Sequence, residues 1–126
     1  MSLAWDYMAL KNRLAEIKAN CGSNDWAEPG SVGIEDNLLE MVRKFLVRCG
    51  SATMPEIIPE HSGMIGVLWE NRSGERPNSY LIFRIAPDGK TSITARSYDL
   101  LMFYGEDRID EQGKGDWLMS VLAKQW

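Results

Sequence analysis

A chain of 126 residues with 44% hydrophobic and 25% charged residues has the size of a single domain, long enough to bury roughly two thirds of the surface its unfolded form exposes. That composition is too apolar for a disordered chain and too polar for a membrane one, and no run approaches the ~20 uninterrupted apolar residues that a bilayer span needs. The net charge of −4 is opposite in sign to the clustered Lys and Arg by which proteins hold phosphate backbones, so direct nucleic-acid binding is not expected.

The first residues carry neither a basic n-region nor an apolar h-region. Asp6, Lys11 and Arg13 interrupt any signal, and a cytoplasmic location is expected. Leu3, Tyr7, Leu10, Leu14, Ile17 and Cys21 recur at alternating spacings of four and three. This predicts a helix over 3–20, capped by Ser2 and ended by Gly22. A loop rich in Gly, Ser, Asn, Asp and Pro follows at 22–33, with Trp26 as its one large apolar residue. From residue 34 to 49 the helical period returns, with Ile34, Leu38, Met41, Phe45 and Cys49 on one stripe and Leu39, Val42 and Leu46 beside it.

Pro55 and Pro59 exclude a regular helix over 54–60 and suit an edge strand, because proline cannot donate to a central ladder. His61-Ser62-Gly63 reads as a turn. Strands are predicted over 64–70, 79–86 and 91–98, separated by a loop at 71–78 and a Pro87-Asp88-Gly89 turn. In the second of these, Leu81, Phe83 and Ile85 lie opposite Tyr80, Ile82 and Arg84. The short apolar run 100–104 does not reveal its own period and reads as a fifth strand or one helical turn. Residues 106–115 read as a charged loop, and Asp116 as the N-cap of a last helix carrying Leu118, Val121 and Leu122. Two helices, an antiparallel meander of four or five strands and a C-terminal helix define one α+β domain over 1–126, with the helices on one sheet face.

The sequence holds little catalytic chemistry. One histidine and two separated cysteines, with no C-x-x-C or H-x-x-x-H spacing, do not make a zinc site, and residues 106–116 lack the EF-hand alternation. Cys21 and Cys49 each precede a glycine at a predicted helix end, which leaves two reduced thiols as the expectation. His61 has Glu60 and Ser62 beside it, but adjacent side chains diverge where a triad needs convergence. No phosphate-binding glycine motif and no nucleophile elbow is present, and Gly113-Lys114-Gly115-Asp116 reads as a linker. The chain is therefore expected to be no enzyme and to hold no cofactor or metal.

What remains are partner cues. Residues 1–50 carry seven acids against six bases and 51–98 five against five, whereas 99–126 carry six acids against three bases. Glu106, Asp107, Asp110 and Glu111 form a patch of the kind that steers binding to a basic protein surface. Of the five tryptophans, Trp26, Trp69 and Trp117 fit core positions, while Trp5 lies off the first helical stripe and Trp126 ends the sequence. Both are candidate contact residues. The expected function is a non-catalytic protein-interaction factor, of the accessory, antitoxin, immunity or anti-defence inhibitor type, working through the acidic C-terminal third. The alternative is a small-molecule or nucleotide binder, or a modest enzyme, with a pocket between sheet and helices lined by Trp69, Tyr80 and Arg84. Self-association stays open under either reading.

The middle of the chain also carries a run of turn and strand motifs: Asn24-Asp25-Trp26-Ala27-Glu28-Pro29, the helix 34–49, Pro55-Glu56-Ile57-Ile58-Pro59, Gly63, Val67-Leu68-Trp69-Glu70, and the strand ending in Asp88-Gly89. Over residues 24–90 this resembles a diffuse group of small, uncharacterised bacterial and phage proteins. The resemblance implies a prokaryotic or phage origin and a place on mobile DNA, with no activity attached. Where the group often shows W-D-G-x-G-A, this chain has Trp26-Ala27-Glu28-Pro29.

Overall fold

A computed structural model describes residues 4–71, 79–97, 100–115, 117–124 and 126. Helix α1 spans Tyr7–Cys21 and buries Leu10, Leu14, Ile17 and Cys21. It begins later than the hydrophobic period implies, because the preceding residues are extended: Ala4 bridges antiparallel to Thr53, and the Trp5 N–H donates to the Ala52 carbonyl at 3.0 Å. Asp6 is the actual N-cap, accepting from the Met8 N–H at 2.9 Å. Tyr7 consequently sits in the first turn and is 41% exposed rather than in the core. Ser2 and Leu3, assigned to this helix above, lie outside the described residues.

Helix α2 spans Asp36–Cys49 and ends on Gly50, whose φ of 69° is the left-handed cap conformation. Ile34 belongs to the loop before it, yet is fully buried, its N–H bonded to the Cys21 carbonyl at 2.8 Å. The wide apolar face expected of this helix is present: Leu38, Leu39, Met41, Val42, Phe45, Leu46 and Cys49 are all buried. Both cysteines are free and buried.

The sheet has five antiparallel strands in sequence order, β1 (Glu56–Pro59), β2 (Ile65–Asn71), β3 (Ser79–Ile85), β4 (Lys90–Ser97) and β5 (Leu100–Arg108). The run 100–104 is therefore strand, and β5 extends through Glu106, Asp107 and Arg108, which the sequence reading placed in a loop. Their pairing explains the difference: Ser92 opposes Glu106, Thr91 opposes Asp107 and Lys90 opposes Arg108. A strand partner fixes extended backbone whatever the charge of the side chains. As the prolines require, β1 is an edge strand.

Alternation divides the sheet into two faces. Ile57, Ile65, Val67, Trp69, Leu81, Phe83, Ile85, Ile93 and Ala95 are buried beneath the helices. Phe83 sits between Phe45 of α2 and Trp69 of β2, with ring centroids 5.6 Å away in both cases and edge-to-face planes. Such contacts add about 0.5–1.5 kcal/mol each to the area they bury. Two glycines make close approaches that no side chain would permit. Gly89, at φ 89°, would place a Cβ 2.1 Å from the Ile109 carbonyl oxygen, and Gly113, at φ 76°, would place one 2.4 Å from the Phe45 backbone nitrogen. The second contact seats the segment after β5 on α2.

Helix α3 spans Trp117–Lys124. Asp116, the expected N-cap, lies outside the described residues, as do 72–78 of the β2–β3 connection and the side chains of Trp117, Leu118 and Val121. Met119 and Ala123 of α3 are fully buried. No helix among the described residues is long and apolar enough to cross a membrane.

Candidate functional site

The four acidic residues singled out in the sequence do not share a surface. Glu106 is exposed on the sheet face away from the helices. Asp107 points the opposite way, half-buried across from Thr91, and its Oδ1 accepts from the Arg108 N–H at 2.7 Å. Asp110 organises a turn: Oδ1 accepts from the Gln112 and Lys114 N–H groups at 2.9 Å, and its carbonyl accepts from Gly113. Glu111 is exposed, and its backbone carbonyl receives Lys44 Nζ of α2 at 3.3 Å.

Trp5 and Trp126 are half-buried and pack against the core, and each is bonded to the segment 52–53. The Thr53 hydroxyl donates to the Trp126 carbonyl, and the Thr53 carbonyl receives the Trp69 indole N–H at 3.1 Å. Both tryptophans thus pack against the core edge while keeping part of their surface exposed.

His61 has a structural task. Its Nδ1 lies 2.8 Å from Glu28 Oε1, its ring meets Trp26 edge-on at 5.4 Å, and its carbonyl accepts from the Val32 N–H at 2.8 Å. With the Trp26 indole donating to the Val32 carbonyl at 2.9 Å, these contacts fasten the loop 22–33 to the β1–β2 turn. Among the described residues no three His, Cys, Asp or Glu side chains converge as a metal site would require.

The pocket expected between sheet and helices is not formed by the residues proposed for it. Trp69 is 2% exposed and faces the helices, whereas Tyr80 and Arg84 lie on the opposite face. A groove of about 220 Å³ runs instead between α1 and α2, floored by Leu14 and Leu39 and rimmed by Lys11, Lys18 and Arg43. Its cations already have local partners. Lys18 lies 3.6 Å from Asp36, Arg43 is held by Glu40, and Lys11 stands 5.9 Å from the centroid of the Tyr7 ring.

The outer sheet face is the most distinctive surface. It is built from cross-strand rows fixed by the register. One row runs Glu56, Leu68, Ile82, Thr94, Tyr104, and a neighbouring row Glu70, Tyr80, Arg96. Leu68, Tyr80, Ile82 and Thr94 are half-exposed, and Tyr104 is 60% exposed. Arg84, in a third row, is gripped through Nε by both Glu60 carboxylate oxygens at 3.1 and 3.2 Å. Arg96 is half-buried on this face, and among the described residues neither it nor Glu56 has an ion-pair partner.

Sequence periodicity placed Tyr80, Ile82 and Arg84 together, but it did not identify this as an open surface. The available signal was the apolar character of both faces of β3, which a sheet with one solvated face does not need. Comparisons of the chain with protein-family models, curated proteins and solved structures find no match. The functional reading therefore rests on the geometry of this face.

Proposed function

We propose that this chain is a non-catalytic protein-binding domain that docks its partner on the open face of its sheet. The observation that carries this reading is Tyr104, 60% exposed, at the end of a cross-strand row that runs through Leu68, Ile82 and Thr94 and is bordered by charges of both signs. Exposed aromatic and Arg side chains set around an apolar centre are the composition of interface hot spots. Mixed charge on a flat face suits a protein surface better than a phosphate backbone. Two free, buried thiols fit a reducing compartment. The domain accordingly acts in the cytoplasm, as an accessory or inhibitory factor of bacterial or phage origin.

Of the acidic residues first considered, Glu106 alone contributes to this face. The test is affinity capture from a bacterial lysate with wild type, Tyr104→Ser and Glu111→Ser. A partner kept by wild type and Glu111→Ser and lost by Tyr104→Ser supports the docking face. Loss with Glu111→Ser alone would move binding to the segment after β5 and overturn the reading.

A further inference from the structure

The charges on the open face are segregated. On the β1–β2 side the outward residues Glu56 and Glu70 are acidic, and on the β4–β5 side Lys90, Arg96 and Arg108 are basic, with Glu106 the exception. The two halves lie either side of β3. A two-fold axis parallel to β3, set above the face, exchanges β1 with β5 and β2 with β4 while leaving each cross-strand row opposite itself. We infer that the occupant of the open face is a second copy of this chain, packed face to face about such an axis; this deepens the docking-face reading and rests on it.

Row by row, the exchange matches unlike groups. In the row Glu70, Tyr80, Arg96, the guanidinium of one copy comes over Glu70 of the other, beside its Glu56. Neither Glu56 nor Arg96 has an ion-pair partner of its own among the described residues. In the row from Glu56 to Tyr104, the phenol O–H of one copy meets the carboxylate of the other, Leu68 meets Thr94, and Ile82 meets its own mate on the axis. Arg84 also approaches its mate, but each is already neutralised by Glu60. The arrangement is isologous, so every favourable contact off the axis occurs twice. It corresponds to the aligned packing of two sheets in a sandwich.

Size sets the expected strength. Five strands at about 4.8 Å spacing and seven residues at about 3.3 Å rise give a face of about 550 Å², hence about 1,100 Å² for the pair. This is at the lower end of specific interfaces. The dimer should dissociate on dilution.

Sedimentation velocity across a concentration series reads this directly, with far-UV circular dichroism confirming that each variant is folded. Wild type is expected to pass from a 14.3 kDa species to one of twice that mass. Arg96→Glu alone, or the pair Glu56→Arg and Glu70→Arg alone, should weaken association at least tenfold. Mixing those two variants should restore it, because one copy then presents acids in both halves and the other bases in both. A wild type that stays monomeric, or a dimer indifferent to these reversals, overturns the inference. If the monomer still loses its lysate partner on Tyr104→Ser, the docking face stands and only the self-pairing falls. If neither partner loss nor dimerisation responds to changes on this face, both fall.

Discussion

Asp110 and Glu111 are neighbours with the same charge and opposite duties. Asp110 accepts three bonds within its turn, two through Oδ1 and one through its carbonyl, whereas the Glu111 side chain projects into solvent. Replacing Asp110 with Ala is expected to cost about 1–2 kcal/mol in urea denaturation, the range for a lost turn or cap acceptor. Glu111→Ala should stay within about 0.5 kcal/mol of wild type, as exposed substitutions do. Sequence alone could not separate them, because both are acids in a stretch rich in Gly and charge, and the distinction is made by backbone N–H groups two and four residues ahead. Gly89→Ala is a harsher change. It combines a positive φ with a Cβ placed against the Ile109 carbonyl, and it should destabilise by about 2–4 kcal/mol on the scale of strained or overpacked sites. Burial pushes the Cys49 thiol up, with Ser51 bonding pulling partly against it. The neutral thiol is the form the fold favours, so its contribution is complete below the ordinary thiol value. It is lost as pH rises from about 8.5 through the elevated folded value. Cys49→Ala should therefore show a shallower loss of melting temperature between pH 8.5 and 10 than wild type.

At the scale of elements, helices and strands were legible where period and punctuation agreed. The stripe from Leu10 to Cys21 identified α1, the apolar stripe from Leu38 to Cys49 identified α2, and Pro55 and Pro59 placed β1 at an edge. The start of α1 was misread because Leu3 and Tyr7 continue the helical spacing while Ala4 and Trp5 are recruited by residues 52 and 53, almost fifty positions away. β5 was misread for a related reason. Its acidic half, Glu106 to Arg108, has the composition of a loop and becomes strand only because β4 is there to pair with it. The true start of α1 makes a testable distinction: Asp6→Ala should lower stability by about 1 kcal/mol through loss of the cap. Chemical denaturation of that variant, compared with Asp6→Asn, which keeps an acceptor, separates the cap from a general charge effect.

For the whole molecule, fold class followed from the segregation of helices and strands, but the open sheet face was hidden in the sequence. Leu68, Ile82 and Tyr104 are ordinary strand residues until the register aligns them in one row and the helices gather on the other side. Partner cues taken from composition pointed to the C-terminal acids, and the fold then distributed those acids among a strand's two faces, a turn and solvent. Composition counts charges; only topology decides which of them are neighbours.

The sequence-ordered meander has a kinetic consequence. Each ladder joins consecutive strands, so the sheet can assemble hairpin by hairpin with small loop-closure cost. The bond from the Thr53 hydroxyl to Trp126 spans 73 positions and has no such local route. It is expected to close late. Thr53→Val should leave the refolding rate within about twofold of wild type and express its loss of about 1 kcal/mol as roughly fivefold faster unfolding, the behaviour of a contact absent from the transition state. Stopped-flow chevrons would read both arms at once. Loss of the clasp at residue 53 is then expected to shorten the lifetime of the folded chain about fivefold.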